Sequence, residues 1–282
     1  MTLQSLVRDV ARRLRAAPLH YGHGTGNARD EAAFLVLRGL RLPFDAPADR
    51  PVTARERARV EALARRRIRE RVPAAYLLRE AWLADERFYV DRRVIVPRSH
   101  IAALLRARLR PWLRRDPHRV LDLCTGSGCL AVLAAKAFPG ARVDAVDVSR
   151  PALAVARRNV ALHHVSGRVR VIRSDLAAAL PGGAYDLIVC NPPYVTARSM
   201  RALPREYRHE PALALAGGAD GLALVRRLLA DAPRVLSPTG LLVCEVGAGR
   251  RPLERAYPRA PFTWVQDGAV FMLTRAELGR LG

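Results

Sequence analysis

The tetrapeptide Asn191-Pro192-Pro193-Tyr194 follows the apolar run YDLIVC at 185–190, and its residue types suit one task. Asn191 offers a side-chain carbonyl, and Pro192 offers a backbone carbonyl beside a residue that has no N–H. Two acceptors converging on one point hold a planar –NH2 group by both of its hydrogens, while Tyr194 can pack on its flat face. A proline-rich turn after a strand would explain the prolines and leave Asn191 and Tyr194 unexplained. A second strand-like run ends in Asp122-Leu123-Cys124-Thr125-Gly126-Ser127-Gly128. Glycines alternating with small residues let the backbone turn tightly and approach a ligand before a helix starts. The GxGxxG fingerprint is not present, because Cys124 holds its first position and Leu130 and Ala131 follow. Asp147 closes the next run, nineteen residues after Gly128, a spacing that suits a carboxylate accepting from ribose hydroxyls. Its plainer use would be to cap the helix that begins near Pro151. In Ser174-Asp175-Leu176 the acid could accept from an adenine amino group, with Leu176 against the ring.

These groups need elements that deliver them to one place. From Arg119 onward the chain alternates strand and helix. Strands are expected at 119–123, 142–147, 168–173, 185–190 and 240–246, helices at 129–138, 150–163 and 220–235, and a closing hairpin at 262–266 and 269–273. Such alternation predicts an α/β fold with a mostly parallel, doubly wound sheet, which binds ligands beyond the carboxyl ends of its strands. Residues 1–75 read as a small helical domain: Leu3, Leu6, Val7, Val10 and Leu14 keep helical spacing, as do Ala33, Phe34, Leu37 and Leu40. A third helix over 53–71 opens on a Thr53-x-x-Glu56 capping box and turns its arginines to solvent. His20 and His23 lie in a Gly-rich loop with no evident partner. Residues 76–97 predict a hairpin linker whose strands are Phe88–Val90 and Val94–Val96, and a helical pattern resumes over 101–113. The remaining segment, 98–282, carries the glycine loop, Asp147, Ser174-Asp175-Leu176 and the Asn-Pro-Pro-Tyr tetrapeptide.

Composition bounds the rest. The 282 residues carry 48 basic and 26 acidic side chains, a net +22, and Lys136 is the single lysine. The excess is spread along the chain, 26 basic against 13 acidic over 1–118 and 22 against 13 over 119–282, so it is no disordered arm. It suits RNA or another polyanion, or it records an arginine-rich genome composition. Arginines at 8, 12 and 13 precede any apolar run of leader length, and no run of eighteen apolar residues occurs. Cys124, Cys129, Cys190 and Cys244 form no metal-ligand spacing and read as buried small hydrophobes of a cytoplasmic protein.

Together DLCTGSG, Asp147 and NPPY resemble the class I S-adenosylmethionine-dependent methyltransferases, which share a Rossmann-like fold. EAWLADERFYVDRRVIVPRS, NPPYVTARSMRALPREYRHEPALALAGGADGL, LLVCEVG and PFTWVQ…GAVFML narrow the resemblance to the HemK-type protein-(glutamine-N5) methyltransferases. Within them the chain is similar to the bacterial branch that modifies large-subunit ribosomal protein L-three. The release-factor branch tends to carry PRPETE where this chain has Pro97-Arg98-Ser99-His100-Ile101, and glutamate-histidine-glycine where it has Glu245-Val246-Gly247.

The resemblance implies S-adenosylmethionine over Cys124–Gly128 (Asp122, Cys124, Thr125, Gly126 and Gly128), with Asp147 on its ribose, Asp175 and Leu176 near its adenine, and Asn191 beside it. It implies a substrate amide held by Asn191 and Pro192, with Pro193 and Tyr194 against it and Arg98 at the pocket mouth. Catalysis would rest on Asn191, Pro192 and Tyr194, with no metal and no membrane. The expected partner is ribosomal protein L-three, free or within an RNA-bearing assembly intermediate. Glu210 could organise the loop. Three other functions compete: a release-factor glutamine methyltransferase, an adenine-N6 nucleic-acid methyltransferase, and a non-catalytic RNA-binding assembly protein. Aromatic content of 6% and the lack of a separate recognition domain weigh against the second. An intact glycine loop and NPPY weigh against the third.

Overall fold

The computed structural model describes residues 1–281, so the last residue of the segment 98–282 lies outside them. Three helices open the chain: α1 (Leu3–Ala16), α2 (Ala28–Gly39) and α3 (Ala54–Glu70). Each starts on a side-chain cap: Thr2, Asn27 and Thr53 accept from backbone N–H groups of their first turns. The Thr53–Glu56 capping box forms as the sequence predicts. Leu6, Val10, Leu14, Leu35 and Val60 fill a core that belongs to these helices, each such side chain contributing about 1.5–3 kcal/mol by burial. The short α4 (Ala74–Leu78) leads to a hairpin of β1 (Ala81–Leu83) and β2 (Glu86–Phe88).

That hairpin corrects the expected linker. Its turn is Ala84-Asp85, both residues at positive φ, and Phe88 is its last strand residue rather than its first. Among the described residues Tyr89 to Val96 have no strand partner. Asp91 instead accepts from the Arg93 N–H, and Tyr89, Val90, Val94 and Val96 are buried against Ala152 and Val155. Apolar content there reports packing, not pairing. The next helix, α5, is also shorter than expected: it spans Ile101–Arg106, because Arg108 and Leu109 turn to positive φ and place Leu109 in the core.

The second part is a seven-stranded sheet. Its strands are β3 (Arg119–Leu123), β4 (Arg142–Asp147), β5 (Val169–Arg173), β6 (Tyr185–Cys190), β7 (Leu236–Glu245), β8 (Thr263–Val265) and β9 (Val270–Thr274), in the order β5-β4-β3-β6-β7-β9-β8. The first five are parallel and β9 is antiparallel to both neighbours. Helices α6 (Cys129–Ala137), α7 (Arg150–Leu162), α8 (Ala197–Ala202), α9 (Ala223–Val235), α10 (Arg250–Ala256) and α11 (Arg275–Leu278) complete it. Alternate residues of the strands enter two cores: Val120, Val143, Leu187 and Val243 pack with Leu130 and Phe138, while Leu121, Val146, Ile188 and Leu242 pack with Val225 and Leu228. This burial on both faces is why the strands read as continuous apolar runs. Leu123 pairs with Val146 on one side and Cys190 on the other, so the residues after β3, β4 and β6 emerge at one edge, where the strand order reverses.

One expectation about α3 fails. Arg67 does not face solvent: it is 1% exposed, with Nε donating to Glu31 (2.7 Å), Nη1 to Glu206 (3.1 Å) and Nη2 to the His20 carbonyl (2.7 Å). The two carboxylates are as deeply buried as the guanidinium. Removing one partner of such a group leaves uncompensated buried charge. Arg67→Ala is therefore expected to lower unfolding free energy by roughly 3–5 kcal/mol. Urea denaturation checks this; a midpoint shift equivalent to less than about 1 kcal/mol, as for an exposed pair, would refute it.

Candidate active site

A cavity of about 320 Å³ opens at the carboxyl edge of β3, β4, β5 and β6. Cys124, Gly126, Asp147, Asp175, Leu176, Asn191 and Pro193 line it, so seven residues singled out from the sequence meet there. A smaller cavity of about 140 Å³ adjoins it, lined by Arg98, Asn191, Pro192, Tyr194 and Tyr207 among others. Asn191 is common to both walls.

The glycine loop is built from beneath. Asp122 is buried and does not line the cavity; it accepts from the Thr125 hydroxyl and from Ala131 N (3.0 Å) at the start of α6. Burial, assisted by the charge of Asp147, pushes the Asp122 carboxyl up to about 7 against these hydrogen bonds. Thr125 is likewise buried, and Gly128 packs on α7, where an added Cβ would lie 3.1 Å from the Ala156 Cβ. Asp122, Thr125 and Gly128 therefore shape the loop from behind. Asp147 faces the cavity, with Oδ2 accepting from Gly126 N (2.9 Å) and Oδ1 from Ser149 N (2.8 Å). Ser149 caps α7, so cap support and cavity lining coincide at Asp147. Each oxygen keeps a second lone pair for a ligand hydroxyl. Asp175 stands at the exposed rim in an ion pair with Arg227 (2.8 Å), and Leu176 is buried below it.

At the second cavity the Asn191 amide has a defined sense. Its Nδ2 donates to the Arg98 carbonyl (3.3 Å), which leaves Oδ1 as the free acceptor. Among the described residues no hydrogen bond reaches Asn191 Oδ1 or the Pro192 carbonyl. Arg98 is fixed in turn by Glu210, whose two oxygens take its Nη1 and Nη2 at 2.6 Å each while Oε1 also accepts from Val96 N (2.9 Å). Arg98 therefore presents a neutralised guanidinium to the pocket. Tyr194 packs on Gly247, where an added Cβ would come within 2.8 Å of its ring, and burial pushes its phenol up to about 12.

Two further residues escaped the sequence reading. Asn159 on α7 is fully buried: Oδ1 accepts from Tyr89 N (2.7 Å), and Nδ2 donates to the carbonyls of Tyr89 (2.9 Å) and Ser127 (2.8 Å). It ties the linker to the glycine loop. Glu245, ending β7, accepts from the Ser99 hydroxyl (2.6 Å) and His100 N (3.0 Å) and so anchors the segment bearing Arg98. A polar residue on the apolar stripe of α7, and an acid closing an apolar strand, were the available signals. Among the described residues His23 has no hydrogen-bond partner on either ring nitrogen; it is buried against Tyr207 and lies 3.8 Å from Glu210.

Comparison with known proteins bears on the family and the fold. Residues 103–204 match the family model described as "Methyltransferase small domain". A ribosomal protein uL3 glutamine methyltransferase from Bordetella pertussis is 56% identical over 98% of this chain and 96% of its own length. One from Neisseria meningitidis serogroup B is 50% identical over 98% and 94%. Among solved structures, the hMettl16 catalytic domain in complex with MAT2A 3′UTR hairpin 6 shares the fold, with a TM-score of 0.52 and 15% identity over 79% of this chain and 81% of that one.

Asp122 supplies a test of the loop. Its carboxyl binds a proton more tightly when folded than its ordinary value near 3.8 allows. Its contribution to stability is thus whole below about pH 4 and is lost as pH rises toward about 7. Asp122→Asn keeps the packing and removes the titration, so stability should fall less between pH 5 and pH 8 than in the wild type. Denaturation at the two pH values measures the difference; equal slopes would show that Asp122 is not held protonated.

Proposed function

The chain belongs to the ribosomal protein uL3 glutamine methyltransferase family, and from that premise we propose that it N5-methylates a glutamine side chain of ribosomal protein uL3. The observation that carries this reading is Asn191. It stands on the wall between two cavities with Oδ1 free and its orientation fixed by the Arg98 carbonyl.

An amide nitrogen is a poor nucleophile because its lone pair is delocalised into the carbonyl. Asn191 Oδ1 and the Pro192 carbonyl accept the two amide hydrogens, raise electron density on nitrogen and let it pyramidalise. Tyr194 packs on the amide plane and keeps its own proton. Pro193 closes the larger cavity beside this cradle. Holding the acceptor nitrogen in line with the donor, rather than taking a proton, is the main contribution of the chain. Well-aligned pairs gain about 7–11 kcal/mol in this way. The proton leaves after transfer, so no general base is needed.

The larger cavity fits S-adenosylmethionine by its donor set. Asp147 suits vicinal hydroxyls, Leu176 a flat apolar ring, Asp175 an amino group, and the Cys124–Gly126 turn a close backbone approach. When bound, the cofactor supplies a methyl group activated by a positively charged sulfur. Among the described residues, no helix is long and apolar enough to cross a membrane, and we place the reaction in the cytoplasm with its ribosomal target.

The test is mass spectrometry of ribosomal proteins and release factors from cells with and without the chain. Loss of about 14 Da (one methylene) confined to uL3 supports the reading, and the same loss on release factors overturns it. Asn191→Ala should lower turnover on the order of 100-fold, the scale for losing a positioned transition-state contact, with cofactor affinity little changed. Asp147→Ala should chiefly weaken cofactor binding. Near-normal turnover in Asn191→Ala would remove the amide-cradle assignment.

The net +22 charge bears on the form of the substrate. A ribosomal protein that binds RNA is itself basic, so enzyme and free substrate repel at long range. We propose that uL3 already on RNA is methylated faster at low salt, and that this advantage shrinks as salt shortens the screening length toward about 8 Å. A methyl-transfer assay across a salt series compares the two substrates. Free uL3 methylated faster at low salt than at high, with no gain from RNA, would refute the proposal.

A further inference from the structure

Two acidic residues four positions apart are buried, one in a short turn and one directly after it, and they face different parts of the molecule. The turn is the 3-10 segment Arg205–His209, which follows α8. Glu206 is 1% exposed, and its Oε1 accepts from Arg67 Nη1, Arg71 Nη1 and His20 N, each at 3.1 Å. The three partners lie in α3, in the residue that follows it and in the loop between α1 and α2. Glu210 is 6% exposed and holds Val96 N and the guanidinium of Arg98. The Arg98 carbonyl then receives Asn191 Nδ2. Between the two acids Tyr207 lines the small cavity, with Arg98 over its ring at 5.4 Å.

We infer that residues 205–210 are a strap whose far end, Glu206, is a positioning residue for the amide cradle, acting through Glu210 and Arg98 on the orientation of Asn191. The inference rests on the reading of Asn191 as the cradle. Glu206 lines neither cavity, so any effect on turnover must travel along the strap. The bonding is suited to that use. Arg67 has one bond from each of its three nitrogens, and Glu206 gathers three donors from two segments, which fixes the strap in position as well as in depth. Apolar side chains of similar volume could fill the space with equal or better stability, but they would not supply this directionality. The N-terminal helices thereby set where Asn191 Oδ1 points, although none of their residues lines the small cavity.

The experiment is steady-state methylation of uL3 by the full chain, with cofactor affinity and thermal unfolding measured on the same samples. Glu206→Gln is expected to lower kcat roughly 10- to 100-fold, the scale of an ångström-level misplacement far from the chemistry. KM for uL3 and cofactor affinity should each change less than about threefold, the size of a surface-level perturbation. Glu210→Gln should lower kcat as well, and the double variant should fall no further than the worse single one, because both act through one strap. Where Glu206→Gln folds poorly, the triple variant Glu31→Met, Arg67→Met and Glu206→Met replaces the network with apolar volume. It should fold and still turn over slowly. Normal kcat in either folded variant, or additive losses in the double one, would overturn the inference. A wild-type chain that leaves uL3 unmodified would instead overturn the proposed function.

Discussion

A side-chain amide that must act as an acceptor has to be prevented from turning over, because its two ends have nearly the same shape and opposite hydrogen-bonding roles. Asn191 meets this constraint by donating Nδ2 to the Arg98 carbonyl. That carbonyl is only as fixed as its own residue, which explains the investment around Arg98: Glu210 grips its guanidinium and the preceding Val96 N–H, and Glu245 grips Ser99 and His100 after it. Two buried acids from distant parts of the chain thus hold one short segment. Without them the acceptor pair proposed for Asn191 and Pro192 would have no defined direction.

The sheet supplies the other half of the constraint. Because β3 pairs with β4 on one side and β6 on the other, the turns after these strands face one another across the switch point. Asp147 bridges the first gap by accepting from Gly126 N, and Asn159 joins the loop carbonyl at Ser127 to Tyr89 of the linker. The linker, the glycine loop and α7 are therefore tied together by hydrogen bonds. The proposed cofactor side and amide side are thus referred to the same backbone frame, as an in-line transfer requires.

How much of this was legible depended on the range of the interaction. Strand ends such as Asp122, Asp147 and Asn191 could be placed because apolar runs and turn residues are local signals. The parallel sheet and the closing hairpin follow from them, whereas the division of the strand-end edge into two cavities comes from the structure. The linker hairpin was misplaced by several residues because Ala84-Asp85 is not the usual Asn-Gly signature of a tight turn, and because Tyr89–Val96 are apolar for packing on α7. Arg67 was read as solvated for a related reason. Its partner Glu206 lies 139 residues away, and the only local signal is the place of Arg67 on the buried stripe of α3, seven residues after Val60 and three after Ala64. Asn159 could have been noticed as a polar residue on an apolar stripe, but its three partners come from two other segments.

The arginine excess has to be read locally for the same reason. At the cavities much of the positive charge is cancelled: Arg98 is paired with Glu210 and Arg227 with Asp175, while Asp147 and Glu245 add acidic groups that no arginine meets in an ion pair. On the helical part the pairing is less complete. A groove beside α2 and α3 is lined by Arg38, Arg41, Arg59, Arg66 and Arg87; Arg38 and Arg87 share Glu80 and Arg66 meets Glu70, while among the described residues Arg41 and Arg59 meet no acid in an ion pair. Net charge is therefore a poor measure of the field at the amide cradle, since paired groups a few ångströms apart act as dipoles whose effect dies away faster than that of free charge. A basic protein approaching Asn191 meets less repulsion than +22 implies, and the charge that remains to be screened lies largely on other faces.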